Sequence, residues 1–375
     1  MDKNHSAEII SRDLHCILGL PFDVIDLAES ANLLENTVKK KERCFLSTPN
    51  LNFVISAQSD EIFFNSVLDS NLSVADGMPL VWVAKLLGIP LRERVAGSTL
   101  FKTLSSEHKL SKNIRIFFFG GNEGVAQQAY ERMGKLSEKT KACGYYDPGF
   151  VSVSEMSSPE IIAEINKTNP DFLVVALGAK KGQEWIQMNK HLLNSAIISH
   201  LGAVINFVAG SVERAPESWQ RYGLEWLWRI KQEPGLWRRY FFDGIGFLKL
   251  LLLCVFPLAI LDWFIKLRNE DKEAPSVKLD VREKVFVEVI GSFKHGFLDD
   301  LKLRLHSILK GFDKNVVMDC SNLRYIDSAF IGSLLLFQRK LNGSGRSLSL
   351  VDVPYRIKII LKLSNIFDRF SLASR

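Results

Sequence analysis

Phe117-Phe118-Phe119-Gly120-Gly121-Asn122-Glu123-Gly124 is an apolar run that stops on glycines and passes into a helical pattern reaching Leu136. The run from Ile114 to Gly120 has the length and apolar content of a strand covered on both faces. Similar short runs occur at Cys44 to Thr48, Phe172 to Gly178 and Ala196 to Leu201. Between them lie amphipathic stretches, among them Asp60 to Leu68 and Gly124 to Leu136, each opening behind a polar or glycine turn. From about residue 20 to 245 this alternation predicts βαβ units and an α/β fold with a Rossmann-like, mostly parallel sheet.

Loops at the carboxyl ends of parallel strands are where such folds gather their chemistry. Ser73-Val74-Ala75-Asp76-Gly77-Met78-Pro79 places one carboxylate at the mouth of a buried strand. Thr48-Pro49-Asn50 closes an earlier run, Glu93-Arg94-Val95-Ala96-Gly97 follows a helix, and Gln183-Glu184-Trp185-Ile186 follows a third strand. Asp76 is therefore the candidate general base, although Asp-Gly is also a common turn pair. Gly120, Gly121 and Asn122 are candidates for receiving a phosphate on backbone N–H groups, and a simple tight turn explains the same glycines. The GxGxxG spacing is absent, which argues against a nicotinamide enzyme.

The 375 residues are 47% apolar, enough for two sizeable cores. A net charge of +6, spread along the chain, suits an anionic ligand or a membrane surface and not dedicated nucleic-acid binding. Cys16, Cys44, Cys143, Cys254 and Cys320 form no CxxC pair, which fits a reducing cytoplasm and suggests no zinc or disulfide framework. His191 and His200 have no matching ligand cluster, and no motif demands a metal or another cofactor. Met1-Asp2-Lys3-Asn4-His5 lacks the character of a secretory signal, so the catalytic part is expected inside the cell.

The region 246–268 holds the most apolar stretch, with an uncharged part of about 12 residues between basic flanks. Three placements fit: a helix or hairpin lying in the cytoplasmic membrane face, a true span, or a buried core helix. Upstream, Arg214, Arg221, Arg229, Lys231, Arg238 and Arg239 alternate with Trp219, Trp226, Trp228, Trp237 and Tyr240, as an interfacial belt or a solvated basic face. The expected organisation is a catalytic domain with its appendage over 1–245, a membrane-associating segment over 246–268, a linker over 269–276, and a small α/β domain over 277–375. In the last, Val285 to Val289 and Val316 to Asp319 read as strands, and Leu298 to Leu309 and Ala329 to Leu341 as helices.

Taken in order, Thr48-x-Asn50, Ala75-Asp76-Gly77-Met78-Pro79, Glu93-Arg94-Val95-x-Gly97, Phe119-Gly120-Gly121, Gln183-Glu184-Trp185-Ile186, Gly202-Ala203, Arg214-Ala215-Pro216 and Glu225-Trp226-Leu227-x-Arg229 resemble the WecG/TagA/CpsF glycosyltransferases. The resemblance implies transfer of a sugar, often of the N-acetylmannosamine type, from a UDP donor to a polyprenyl-diphosphate-linked saccharide at the cytoplasmic membrane face, in surface polysaccharide synthesis. It implies Asp76 as base with Thr48 and Asn50 beside it, Arg94 and Gln183 lining the pocket next to Glu184, and Arg229, Arg238 or Arg239 binding the diphosphate. The chain departs from the family pattern at Thr99, where an aspartate is common. Asp319 to Leu335 resembles the strand, loop and helix of a STAS domain, but Ala329 stands where the phosphoacceptor serine usually lies. That excludes phosphoswitching at this position and suggests a module that docks a protein partner. The alternative is a catalytically silent scaffold acting through that module.

Overall fold

The computed structural model describes residues 12–107, 109, 110, 112–268 and 274–373; the Met1–His5 segment and most of the expected linker lie outside the described residues. Two compact units are formed, one from Ile25–Val81 with Arg92–Gly244, the other from Met1–Val24, Trp82–Leu91 and Ile245–Arg375. Along the chain the strands are β1 (Leu14–Ile17), β2 (Leu20–Asp23), β3 (Cys44–Ser47), β4 (Leu72–Ser73), β5 (Ile114–Gly120), β6 (Thr140–Tyr146), β7 (Phe172–Ala176), β8 (Ile197–His200), β9 (Ser276–Val281), β10 (Val285–Phe293), β11 (Val316–Asp319), β12 (Leu323–Ile326), β13 (Leu348–Val351) and β14 (Ser371–Ala373).

In the first unit the sheet order is β4-β3-β8-β7-β5-β6, with parallel pairing throughout. Alternate side chains of β5 enter different cores. Ile116 and Phe118 join Leu34, Leu104, Val174 and Ile205, while Phe117 and Phe119 join Leu173, Val175, Trp185 and Ile186. Helices cover both faces, so the central positions Ile116 to Phe119 are all apolar and buried, and the period-two signal disappears into a continuous run. Phe118 is fully buried, and truncating it to alanine costs about 3–5 kcal/mol. The helices begin where the sequence caps them: Asp60 accepts from the Phe63 N–H at the head of Glu61–Leu68, and Gly124 with φ 75° precedes Val125–Leu136.

The second unit contains a mostly parallel sheet, ordered β12-β10-β11-β13-β14, with β9 antiparallel to β10. The hairpin β1–β2 packs on the helix Ser328–Gly343. Gly332 permits that approach: a Cβ there would stand 3.2 Å from the Leu14 carbonyl oxygen.

Trp237–Leu250, a π-helical turn over Leu251–Val255, and Phe256–Arg268 follow one another as helix. Among the described residues one helix, Pro234–Leu267, is long and apolar enough to cross a membrane; its most apolar window has mean hydropathy 2.4 and is 17% buried. The buried-core placement of this segment therefore fails, because a core helix would hide most of that window. Ile245, Leu248, Leu252, Phe256, Ile260, Phe264 and Leu267 are exposed at helical spacing. Leu250, Val255 and Ile265 on the other side are buried, and Asp262 accepts a hydrogen bond from Tyr325 Oη at 3.0 Å.

Candidate active site

The site grows from two loops at the carboxyl edge of the first unit's sheet. Val74 N–H donates to the Ser47 carbonyl and Asp76 N–H to the Pro49 carbonyl, binding the loop after β4 to the loop after β3. In the latter, Thr48 is buried, and Asn50 caps the helix Leu51–Ser59 by accepting from Phe53 N–H. A third segment closes on them. Gly97, first residue of the helix Gly97–Ser106, sits so tightly that a Cβ would lie 2.5 Å from Leu201 and 3.2 Å from the Thr48 side chain. Its N–H donates to Asp76 Oδ2 at 3.2 Å, placing the carboxylate at the positive end of that helix.

Arg94 reaches the other carboxylate oxygen, with Nη2 at 3.3 Å and Nε at 3.4 Å from Asp76 Oδ1, and Nη2 also donates to Glu225 Oε2 at 2.6 Å. Two carboxylates thus share one guanidinium. Asp76 keeps 24% of its side chain exposed, but protein surrounds it closely enough for desolvation to dominate its titration. Burial raises its pKa above the ordinary aspartate value, Arg94 and the Gly97 N–H pull it back, and Glu225 pushes it up. For Arg94, burial works against the charge, but Asp76 and Glu225 outweigh it and raise the pKa. A partly exposed carboxylate of raised proton affinity is suited to accepting a proton from a hydroxyl.

Beside this cluster stands Arg214. Its Nη2 donates to Thr99 Oγ1 at 2.9 Å, Ser98 Oγ at 3.2 Å and Gln220 Oε1 at 3.3 Å. Its Nε is buried without a partner among the described residues. Thr99, where the resemblance leads one to expect an aspartate, offers Arg214 a neutral acceptor. The guanidinium accordingly keeps its charge available for an anion.

The glycine turn lies at the adjoining strands β5 and β7, whose connections leave in opposite directions, to β6 and to β8. Such switch points are the usual ligand crevice of open α/β sheets. Gly120 and Gly121 have φ 87° and 100°, and a Cβ on Gly120 would be 2.8 Å from the Ala176 carbonyl oxygen, so both turn and packing require glycine. Gly121 N–H is spent on that carbonyl and Gly124 N–H on Asp147 Oδ2; Asn122 is exposed.

Other sequence candidates fall elsewhere. Gln183 is buried, its amide donating to Ser47 Oγ and accepting from Ser66 Oγ, a brace between the helix Ala179–Asn189 and the sheet. Glu184 is half-buried on the same helix. Arg229 is half-buried and paired with Glu233 at 2.9 Å. Arg238 and Arg239 are exposed, lying over Trp237 and Tyr240 respectively. Sequence reading placed neither Glu225 nor Arg214 among its site residues, although both lie in recognised motifs; their roles depend on contacts more than 100 residues away along the chain.

Residues 15–258 match the profile described as the glycosyl transferase WecG/TagA/CpsF family. The chain belongs to this family. The WecG/TagA/CpsF member described here is thus a glycosyltransferase, and residues 280–370 match a Mlab, STAS domain. A protein of Bacillus spizizenii named N-acetylglucosaminyldiphosphoundecaprenol N-acetyl-beta-D-mannosaminyltransferase is 30% identical over 227 residues, covering 58% of this chain and 85% of the relative. A Bacillus subtilis protein of the same name is 29% identical over 60% of this chain and 85% of its own length. One from Staphylococcus aureus is 22% identical over 65% and 91%.

Proposed function

We propose that this glycosyltransferase moves an N-acetylmannosamine-type sugar from a UDP donor to polyprenyl-diphosphate-linked N-acetylglucosamine, with Asp76 as general base. The cluster of Asp76, Arg94, Glu225 and the Gly97 N–H carries this reading: it is a carboxylate of raised proton affinity, oriented from both sides and still reachable. The acceptor hydroxyl passes its proton to Asp76 as its oxygen bonds to the anomeric carbon. The bond from that carbon to the diphosphate breaks, and the electron pair leaves with UDP. Arg214, without a carboxylate in ion-pair contact among the described residues, is placed to meet the charge growing on the leaving group. Arg229, Arg238 and Arg239 supply further positive charge for the acceptor's diphosphate. Thr48 and Asn50 belong to the adjoining loop, whose Ser47 and Pro49 carbonyls hold the loop that carries the base.

The acceptor is a lipid, and the exposed stripe from Ile245 to Leu267 supports peripheral association with the inner membrane face. One side of that helix is buried and bonded through Asp262, which favours lying in the interface over crossing it. The STAS module is the proposed site for a protein partner.

The test is UDP release by purified, detergent-solubilised protein offered a panel of UDP-sugars and a polyprenyl-diphosphate-N-acetylglucosamine analogue. Acceptor-dependent release, lost in Asp76→Asn, is expected. UDP-sugar binding without turnover against any acceptor would favour a scaffold.

A further inference from the structure

The second unit brings together three groups that the transferase reaction does not use. Asp13 stands immediately before β1, His15 lies within it, and His295 follows β10 more than 270 residues later. Each offers one ligand atom, and these atoms lie within 4.8 Å of one another. His295 Nε2 and Asp13 Oδ1 are 2.8 Å apart, and the two imidazole rings have centroids 5.0 Å apart.

His15 is the informative member. It is 3% exposed, its Nδ1 is 2.8 Å from Ser328 Oγ, and its Nε2 is buried with no partner among the described residues. A buried ring nitrogen without a partner carries a desolvation cost that most proteins avoid. A cation at Nε2 removes that cost and selects the tautomer in which Nδ1–H donates to Ser328. This is the outer hydrogen bond that metal-binding histidines usually make. His295 is fixed from the backbone side, its N–H donating to Asp327 Oδ2 at 2.6 Å. Both imidazoles line a cavity of about 420 Å³, which leaves room for water.

We propose that Asp13, His15 and His295 bind one divalent cation of the zinc class, through Nε2 of each histidine and a carboxylate oxygen of Asp13, with water completing a four-coordinate shell. Two imidazoles and a carboxylate are a common zinc donor set, with metal–ligand distances of about 2.0–2.2 Å. Ligand atoms in such a shell sit roughly 3.4 Å apart. Asp13 and His295, each 46% exposed, have the freedom to part from their 2.8 Å contact and close on the ion around the fixed His15. The bound ion ties the strand β1 to the turn that follows β10.

The experiment titrates the full-length, chelator-stripped protein with Co²⁺ while recording visible absorption, then displaces it with Zn²⁺ and counts metal per chain. One ion per chain with the intense bands of four-coordinate Co²⁺ is expected. Asp13→Asn and His295→Gln, both at exposed side chains, should each weaken binding at least tenfold. Ser328→Ala, which keeps all three ligands, should weaken it roughly 10- to 100-fold. No binding below millimolar Co²⁺ or Zn²⁺, a weak six-coordinate spectrum, or equal binding by wild type, Asp13→Asn and His295→Gln would overturn the proposal.

Discussion

Asp76→Asn separates what the carboxylate does for chemistry from what it does for the fold. Positioned general bases contribute about 10²- to 10⁴-fold, or roughly 3–5 kcal/mol of barrier, so turnover should fall by that factor. The fold should respond in the opposite sense. Burial raises the Asp76 pKa in spite of Arg94, so the native state holds the charged carboxylate less comfortably than the unfolded chain does. For an acid whose native pKa is raised, native protein binds more protons than unfolded protein, and stability falls as pH rises through the interval between the two values. At neutral pH the charge is thus a burden. Asparagine removes it, still accepts from Gly97 N–H, and leaves Arg94 paired with Glu225. The assay is UDP release alongside thermal unfolding at neutral and low pH. Asp76→Asn should melt at or above the wild-type temperature near pH 7, and the difference should vanish at a pH where Asp76 is protonated in both states. A variant that keeps full activity, or that unfolds several degrees lower at pH 7 with activity lost only in proportion to unfolded protein, would refute the reasoning.

Three further outcomes follow from the same geometry. Glu225→Gln removes a charge that raises the Asp76 pKa, and Arg94→Met removes one that lowers it; the acid limb of kcat/KM should move to lower pH in the first variant and to higher pH in the second. Thr99→Asp adds a carboxylate about 3 Å from Arg214, an interaction of roughly 1.5–3 kcal/mol that competes with the charge growing on the leaving group, so kcat and kcat/KM should fall about 10- to 100-fold with KM for the nucleotide sugar little changed. Replacing Leu252, Leu253 and Ile260 together by glutamate forfeits about 1.5–3 kcal/mol of apolar burial per side chain, and co-sedimentation with anionic vesicles should fall steeply while circular dichroism stays unchanged.

Much of the first unit was legible because its inner strands are buried on both faces and announce themselves as unbroken apolar runs. β11, expected at Val316 to Asp319, has those bounds. β6 was not legible: it is an edge strand, and Lys141 and Tyr145 face solvent. The hairpin β1–β2 escaped because each strand has four residues and its turn holds Leu18 at φ 52°, a conformation that side chains rarely signal. Asp76 could be found from its loop and family motif, whereas the Glu225 contact, 131 positions from Arg94, required the folded chain. Gln183 shows the converse: its motif was readable, but burial gives it bonds to Ser47 and Ser66.

The helix Glu225–Gln232 buries none of its residues in a core. Beyond the local Arg229–Glu233 pair, its described polar ties are Glu225 to Arg94, Trp228 to the Glu213 carbonyl, and Gln232 to the N–H and carbonyl of Glu213. An element held this lightly belongs to the part of a protein that opens long before the core does. Its amides should exchange with solvent deuterium well ahead of those in β5, β7 and β8. Each opening carries Glu225 away from Arg94, leaves that guanidinium to Asp76 alone, and lowers the proton affinity of the carboxylate. The fraying of one peripheral helix and the basicity of Asp76 are therefore linked, and ordering this helix raises the base strength of the site.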